Sequence, residues 1–247
     1  MNQSIFRWAR QAGLALVLTT GVFTTAAAAP APRLDHVPDV RITEADVAES
    51  NAEIRDAYAA LAGMWAKDFE AMGRRFAVPR IYSYRGNVRT SCGVMMANNA
   101  AYCPARNAIY FDEVFLTRQR KEAARHLGTD GDMAGIGVIA HEMGHAAAIQ
   151  LGIASRITYE NEAIADCLAG AFARRAQEDG SLEPGDLDEA MLGLAAAGDP
   201  EVELTGNARI DNRRLARARM MGHGTSEQRV SNFETGLERG IRGCLPR

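Results

Sequence analysis

The sequence lacks an excess of charge of either sign. Its 28 basic and 31 acidic residues give a net charge of −3, and removal of an N-terminal segment with Arg7 and Arg10 leaves 26 against 31, or −5. Nucleic-acid-binding proteins usually carry a basic surplus, so we expect no nucleic-acid partner. One arginine-rich stretch contains Arg209, Arg213, Arg214, Arg217 and Arg219. We interpret it as a solvated helix face, with a grip on acidic substrate as the alternative.

Long apolar runs are also missing, apart from one near the N-terminus. Arg7 and Arg10 precede an apolar run over residues 12–23, and small residues follow at 26–28, which is typical of a secretory signal peptide cleaved after Ala28. The run is short for a membrane span, and no other window reaches that length. We therefore predict a signal peptide over residues 1–28 and an exported protein, periplasmic or secreted. An uncleaved N-terminal anchor is the alternative.

Cysteine is scarce, with four residues in 247 and no C-x-x-C spacing. Thiolate ligation of a metal is therefore disfavoured, whereas an exported chain favours disulfides. Four cysteines allow three pairings. We favour Cys92 with Cys103, which flank a predicted turn, and Cys167 with Cys244, which would pin the C-terminal tail to a helix.

The chain has no internal repeats and no sign of a second domain. A proline-rich linker over residues 29–42 precedes a single domain over residues 43–247. Thr43 and Asp46 predict the start of a long amphipathic helix that continues through Phe76 until Pro79 stops it. Short strands are predicted over residues 80–85 and 107–112.

Helices are predicted along most of the remaining sequence. One begins at about residue 113, directly after the second strand, and ends near His126; another is bounded by Gly131 and Gly152. Asp186 with Glu189, and Thr225 with Gln228, have the spacing of helix caps. Several helices packed on a short sheet make an α+β fold.

Histidine is rare, with five in the chain, yet two of them stand four residues apart in His141-Glu142-Met143-Gly144-His145. On a helix, positions four apart share one face, so both imidazoles can reach one zinc ion with Glu142 beside it. Two hydrogen-bonded core histidines are the alternative. His36 and His126 have no companions at ligand spacing and are interpreted as surface residues.

A second predicted helix carries acids in an apolar setting. Catalytic zinc takes three protein ligands and leaves one position open, and Glu162 can complete a set of two histidines and one glutamate. Asp166, one turn further on, can accept the free N–H of a ligand histidine. Ordinary solvated helix charges would be the alternative, but the apolar neighbours of both acids indicate burial.

Taken together, these features resemble the bacterial family of putative neutral zinc metallopeptidases, over about residues 91–244. The resemblance rests on Ser91-Cys92-Gly93, Tyr102-Cys103-Pro104, Ile109-Tyr110-Phe111-Asp112, Gly131-Asp132, His141-Glu142-Met143-Gly144-His145, Asn161-Glu162, Asp166-Cys167, Gly185-Asp186 and His223-Gly224-Thr225-Ser226-Glu227-Gln228-Arg229. More broadly the chain is similar to the gluzincins, which implies a mainly helical zincin-like fold and a glutamate as third ligand. The sequence departs from the family at Ala146-Ala147 and at Met220-Met221-Gly222, which bears on the shape of the cleft.

The resemblance also implies a substrate strand. In gluzincins an edge strand beside the zinc pairs with extended substrate, and Ala108, Ile109, Tyr110 and Phe111 are the candidates here.

The expected activity is peptide hydrolysis with one Zn²⁺ per chain. Zinc-activated water would attack the peptide carbonyl with Glu142 as general base. His223, flanked by two glycines, is the first candidate to stabilise the oxyanion, with Tyr110 and Tyr159 behind it; a plain helix cap is the alternative for His223.

Protein or peptide is the expected substrate. An exopeptidase, an amidase of cell-wall peptide, and a binding or chaperone-like module with a structural metal are the competing interpretations, and the sequence does not indicate an oligomeric state.

Overall fold

The computed structural model describes residues 40–245, so the predicted signal peptide, most of the predicted linker and His36 lie outside the described residues. The helices are α1 Glu44–Ala71, α2 Glu113–Leu127, α3 Asp132–Leu151, α4 Thr158–Asp179, α5 Asp186–Ala196, α6 Ala208–Met221, α7 Ser226–Arg239 and α8 Ile241–Cys244. The strands are β1 Arg80–Tyr84, β2 Val88–Thr90, β3 Gly93–Met95, β4 Ala100–Cys103 and β5 Ala108–Asp112. The fold is mainly helical with a small mixed sheet, which confirms the predicted α+β class. None of the helices within residues 40–245 has the length and apolar character of a membrane span.

The main sheet has the strand order β1-β5-β4, with β5 parallel to β1 and antiparallel to β4. The prediction that residues 108–111 form an edge strand for substrate is therefore wrong, because β5 is central and both its edges are hydrogen-bonded within the sheet. The free edge on the side of α3 belongs to β4, which packs against that helix. No strand is predicted from the sequence over residues 100–103, so the sequence alone could not show that β5 lies between β1 and β4.

Helix α1 begins with the predicted capping box between Thr43 and Asp46. It ends at Ala71, earlier than Pro79, and Gly73 follows in a left-handed conformation with φ of 67°. Phe76 lies beyond the helix but its ring centroid is 4.9 Å from that of Phe69. Phe76 therefore belongs to the core, as the apolar spacing predicts, but it reaches the core from an irregular segment after α1.

Helix α3 is buried along most of its length and packs against α1, α2, α4 and α5. Its first turn is held by Glu189, whose carboxylate accepts hydrogen bonds from the backbone N–H groups of Gly131 and Met133 at 3.0 Å each. The prediction that Asp186 with Glu189 caps α5 is therefore wrong, since Gly185 is the N-cap and Glu189 serves another helix. The predicted capping box of Thr225 and Gln228 at the start of α7 is present.

Glycines let three helices approach one another closely. A Cβ on Gly144 of α3 would lie 2.8 Å from the carbonyl oxygen of Ala165 on α4. A Cβ on Gly170 of α4 would lie 1.9 Å from the carbonyl oxygen of Phe233, and one on Gly236 of α7 would meet α4 just as closely. Helices α3, α4 and α7 can therefore bring their side chains to one point.

Two disulfides are present, and they are the favoured pairs. Cys92 bonds to Cys103, and Cys167 bonds to Cys244. The second links α4 to the short helix α8, one residue from Asp166.

Candidate metal centre

His141 and His145 lie in the buried part of α3 and face Glu162 on α4. Nε2 of His141 is 3.2 Å from one carboxylate oxygen of Glu162, and Nε2 of His145 is 3.5 Å from the other. The imidazole rings stand at 84° to each other with centroids 4.7 Å apart. His141 and Glu162 are buried, and His145 is half-buried. One histidine on each of two successive turns thus converges on one carboxylate.

These separations fit zinc. Around a tetrahedral zinc with bonds of about 2.05 Å, neighbouring ligand atoms lie about 3.3 Å apart. The two nitrogen-to-oxygen distances lie on either side of that value, and the donor set of two imidazoles and one carboxylate is one that catalytic zinc uses. One ligand atom from each of the three residues lies within 4.8 Å of the other two, so the residues present fit a single zinc ion.

The charges around the three ligands favour a cation. Burial lowers the pKa of His141, but the negative charge and hydrogen bond of Asp166 and the hydrogen bond to Glu162 outweigh it and raise that pKa to about 10. Burial raises the pKa of Glu162, yet its contacts with the two histidines hold it far below the ordinary value. A site that keeps a proton so firmly between these groups has the electrostatics to hold a divalent cation in its place.

Asp166 orients His141 from the far side of its ring. Its carboxylate is fully buried and lies 2.7 Å from Nδ1 of His141, so it can accept the Nδ1 proton and leave Nε2 free as a ligand. Arg229 on α7 donates to both oxygens of Asp166, at 2.7 and 3.1 Å. Arg229 is itself buried, and it also donates to the carbonyl of Ala197.

Glu142 lies beside the three ligands, next to the edge strand β4. Its carboxylate accepts a hydrogen bond of 2.7 Å from the backbone N–H of Tyr102. The register of β4 with β5, together with the bond from the Asp112 N–H to the Asn99 carbonyl, directs the backbone groups of Ala100 and Tyr102 away from the sheet. The outer edge of β4 therefore faces Glu142, with the Tyr102 N–H bound to that carboxylate and the backbone groups of Ala100 pointing away from β5.

The three candidate ligands and Glu142 open onto one cleft of about 700 Å³. Its lining includes His141, Glu142, His145, Glu162, Tyr102 and His223. The floor is helix α3, and one wall is β4. The cleft has room for several residues of an extended peptide.

His223 lies at the mouth of this cleft with its side chain 56% exposed. Asp199 fixes its loop by accepting the backbone N–H groups of His223 and Gly224 at 2.5 and 3.3 Å. Tyr159 packs under Gly224, whose φ is 97°. Tyr110 stacks on Tyr82, and neither Tyr110 nor Tyr159 lines the cleft, so His223 is the one predicted oxyanion donor among the residues that line it.

The family described as "putative neutral zinc metallopeptidase" matches this chain over residues 17–244, which is most of its length. The chain belongs to this family. The resemblance inferred from the motifs is thereby confirmed, and the candidate metal ligands His141, His145 and Glu162 lie within the matched region.

Two proteins similar to this chain carry the name "uncharacterized protein YpfJ", from two strains of Escherichia coli. Each is 34% identical over 192 residues, which cover 71% of this chain and 63% of the relative. The match thus spans less than two thirds of the relatives' length. No solved structure matches the chain.

Sequence reasoning missed Arg229 as part of the centre. The residue ends the motif that begins at His223, and it is followed by Phe233 and Gly236 at helical spacing on a buried face. A charged residue on the apolar face of an amphipathic helix is the signal that could have revealed it.

A second group of acids lies at the N-terminal end of α3. Asp130, Asp132, Asp186 and Glu189 each place a carboxylate oxygen within 4.8 Å of the others. Burial and the neighbouring negative charges raise the pKa of Asp132 to about 8. Burial and the charge of Glu189 raise the pKa of Asp186 to about 6, against a hydrogen bond from the Glu183 N–H. This group is distinct from the site around His141.

Proposed function

We propose that the protein is an exported zinc-dependent peptidase that cleaves peptide bonds, with Glu142 as general base. The observation that carries the proposal is the position of Glu142, held by the Tyr102 N–H beside three residues able to bind one zinc. A purely structural metal gives no reason for a second, non-ligating carboxylate at that place. Family membership supports zinc and peptidase chemistry.

Zinc bound by His141, His145 and Glu162 would polarise the peptide carbonyl and lower the pKa of water at the site. Glu142 takes a proton from the attacking water and delivers it to the leaving nitrogen. Asp166 and Arg229 keep Nε2 of His141 aimed at the site throughout. His223 lies on the same cleft and would donate to the carbonyl oxygen as negative charge develops on it.

Strand β4 would align the substrate. An extended peptide that pairs with the outward backbone groups of Ala100 would lie along the cleft past Glu142. This role takes the place of the one predicted for residues 108–111. Backbone pairing recognises any extended chain, which suits protein or peptide substrates.

Export is the part of the proposal that rests on the predicted signal peptide. The two disulfides support it, because such bonds persist in oxidising compartments. Mass determination of the mature N-terminus in the producing cell would test cleavage after Ala28.

The decisive experiment compares three single variants for zinc content and for hydrolysis of unfolded casein. We expect Glu142→Ala to retain one zinc per chain and lose activity by at least about a hundredfold, whereas His141→Ala loses both. His126→Ala, an exposed histidine on α2, serves as the matched control. Full activity of Glu142→Ala would reject the general-base role, and zinc without cleavage by the unaltered protein would favour a binding module.

Terminally blocked and unblocked peptides distinguish the remaining hydrolase classes. Cleavage of peptides blocked at both ends supports an endopeptidase. A requirement for a free terminus indicates an exopeptidase, and activity restricted to cell-wall peptide indicates an amidase.

A further inference from the structure

Residues 200–222 form an arm that leaves the body of the protein and returns at the mouth of the cleft. The two ends of the arm are joined because the N–H of Asp199 donates to the carbonyl of Gly224 at 2.7 Å, and the carboxylate of Asp199 accepts from His223. The arm contains α6. His223, which lines the cleft, is the first residue after it.

Helix α6 is folded without a hydrophobic core of its own. Asp211 is its only buried residue, and it accepts hydrogen bonds from Thr205 and from the N–H of Gly206. Asn207 caps the first turn. Polar contacts at its first turn and contacts with α4 hold this helix, and most of its remaining side chains are exposed.

The helix has five arginines and one acid, in a protein whose net charge is −3. Arg219 pairs with Glu160, and Arg213 and Arg214 donate only to backbone carbonyls. Arg209 and Arg217 form no ion pair within the part of the chain that the structure describes. Three guanidinium groups, those of Arg209, Arg213 and Arg217, therefore project from α6 without an ion-pair partner among residues 40–245, while the charge of Arg214 acts on the nearby carboxylate of Asp211.

Large apolar side chains are exposed between these arginines, namely Ile210, Leu215, Met220 and Met221. Ile210, Arg214, Arg217 and Met221 are spaced to share one helix face, and Arg209, Arg213 and Met220 share another. Membrane-surface helices separate an apolar face from a charged one. Here both faces mix arginine with apolar side chains, and arginine and methionine are both enriched in protein interfaces.

We propose that α6 is an exosite that binds an acidic, apolar-containing segment of the protein substrate while another segment occupies the cleft. The proposal rests on the peptidase function proposed above and adds a substrate class to it. Charge complementarity identifies an acidic segment, and the exposed methionines and isoleucine supply apolar contacts. Binding of acidic substrate is the alternative given above for this arginine-rich stretch, and the exposure of its arginines supports it.

The position of α6 matches this role. Glu160, which pairs with Arg219, lies in the first turn of α4, and Thr158, Asn161 and Glu162 from the same turn line the cleft. A helix of 14 residues extends about 21 Å. About six residues of extended peptide span that length, so one unfolded chain can contact both sites.

Binding is tested in the Glu142→Ala protein, so that the substrate is not consumed. The probe is a fluorescein-labelled, unfolded peptide rich in glutamate and leucine, followed by fluorescence anisotropy. The test variant combines Arg209→Gln, Arg213→Gln and Arg217→Gln. Glutamine has nearly the helix propensity of arginine, and circular dichroism verifies that the fold is retained. Arg75→Gln, Arg80→Gln and Arg242→Gln make the same charge change at exposed positions outside α6 and serve as the control.

We expect the α6 variant to bind about tenfold more weakly and the control variant within about twofold of the parent. The same peptide with glutamine in place of glutamate should bind the parent weakly, and added salt should weaken binding of the acidic peptide. Equal losses in both variants, or equal binding of both peptides, would overturn the proposal.

Two further measurements assign other occupants, and either result overturns the exosite. Binding to vesicles containing phosphatidylglycerol, lost only in the α6 variant, would make α6 a membrane-surface helix. Concentration-dependent dimerisation, lost only in that variant, would make it a self-association surface. Because the binding assay needs no turnover, a failure of the peptidase proposal appears separately, as absence of cleavage by the unaltered protein with peptide binding intact.

Discussion

Arg229 donates two hydrogen bonds to the buried carboxylate of Asp166, although 63 residues separate them in sequence. The same carboxylate lies 2.7 Å from Nδ1 of His141. One acid thus connects α7, α4 and α3, and it both balances a buried guanidinium and holds the ring of His141, a proposed metal ligand. These two roles can be separated by substitution.

Asp166→Asn should weaken zinc binding about 10- to 100-fold and lower the free energy of unfolding by about 3–5 kcal/mol. The second effect arises because Arg229 would be left buried without its counter-charge. In the double variant Asp166→Asn with Arg229→Met, most of the stability should return while zinc binding stays weak. Chelator competition measures the first quantity and urea unfolding of the zinc-free protein the second. If zinc affinity recovered together with stability, Asp166 would have no separate role in orienting His141.

The close approach of α3 and α4 at Gly144 gives a second prediction. A methyl group there would press on the Ala165 backbone, so Gly144→Ala should cost about 1–3 kcal/mol of stability and weaken zinc binding by moving Glu162 away from the histidines. Gly137→Ala is the matched control on the same helix. Its Cβ would lie 3.5 Å from Ala190, which is an ordinary contact. Because alanine favours the helix more than glycine does, this change should stabilise α3 by up to about 1 kcal/mol. Similar effects of both changes in thermal unfolding and zinc titration would argue against close packing as the determinant.

Local patterns predicted the helices well because caps and apolar spacing act over a few residues. Thr43, Thr225 and Gly152 mark helix ends where expected. Glu189 shows the limit of this reasoning, since its spacing suits a local cap but its carboxylate reaches the N-terminus of a different helix. Its partner is chosen by tertiary packing, which a single sequence does not display.

The candidate site divides in the same way. His141, His145 and Glu142 follow from spacing within one helix, and Glu162 and Asp166 from spacing within the next. Strand order and the path of α7 are set by contacts far apart in sequence. Local patterns therefore could not predict the edge strand or the pairing of Arg229 with Asp166, although the position of Arg229 on a buried helix face was readable from its spacing.

Strand β4 gives a third prediction. Ala100→Pro removes an N–H that points away from β5, so it should leave the sheet ladder intact and raise KM for extended peptides about three- to tenfold, the effect of one lost hydrogen bond. Ala101→Pro is the contrast, because its N–H faces β5 and its loss should lower the unfolding temperature. Steady-state kinetics and thermal unfolding of both variants check this. Unchanged KM in a folded Ala100→Pro protein would exclude pairing of substrate with that residue.

The acids at the start of α3 predict how stability depends on pH. The pKa values of Asp132, about 8, and Asp186, about 6, lie above the unfolded value of about 3.9. The folded protein therefore holds these protons more tightly than the unfolded chain, and the stability they contribute is lost as pH rises through about 6 and then about 8. Asp132→Asn should abolish the upper part of this loss and stabilise the protein at pH about 8.

Urea unfolding across this pH range gives the difference in unfolding free energy between the Asp132→Asn and wild-type proteins. Titrations that the two proteins share cancel in that difference. Asp56→Asn, at an exposed position on α1, is the control and should show a flat difference. The dipole of α3 acts in the opposite direction, since it favours a carboxylate at Asp132 by up to about 1 kcal/mol. Three further carboxylates surround that position, so their repulsion should outweigh the dipole. An Asp132→Asn protein less stable than wild type at pH about 8 would show that the dipole dominates.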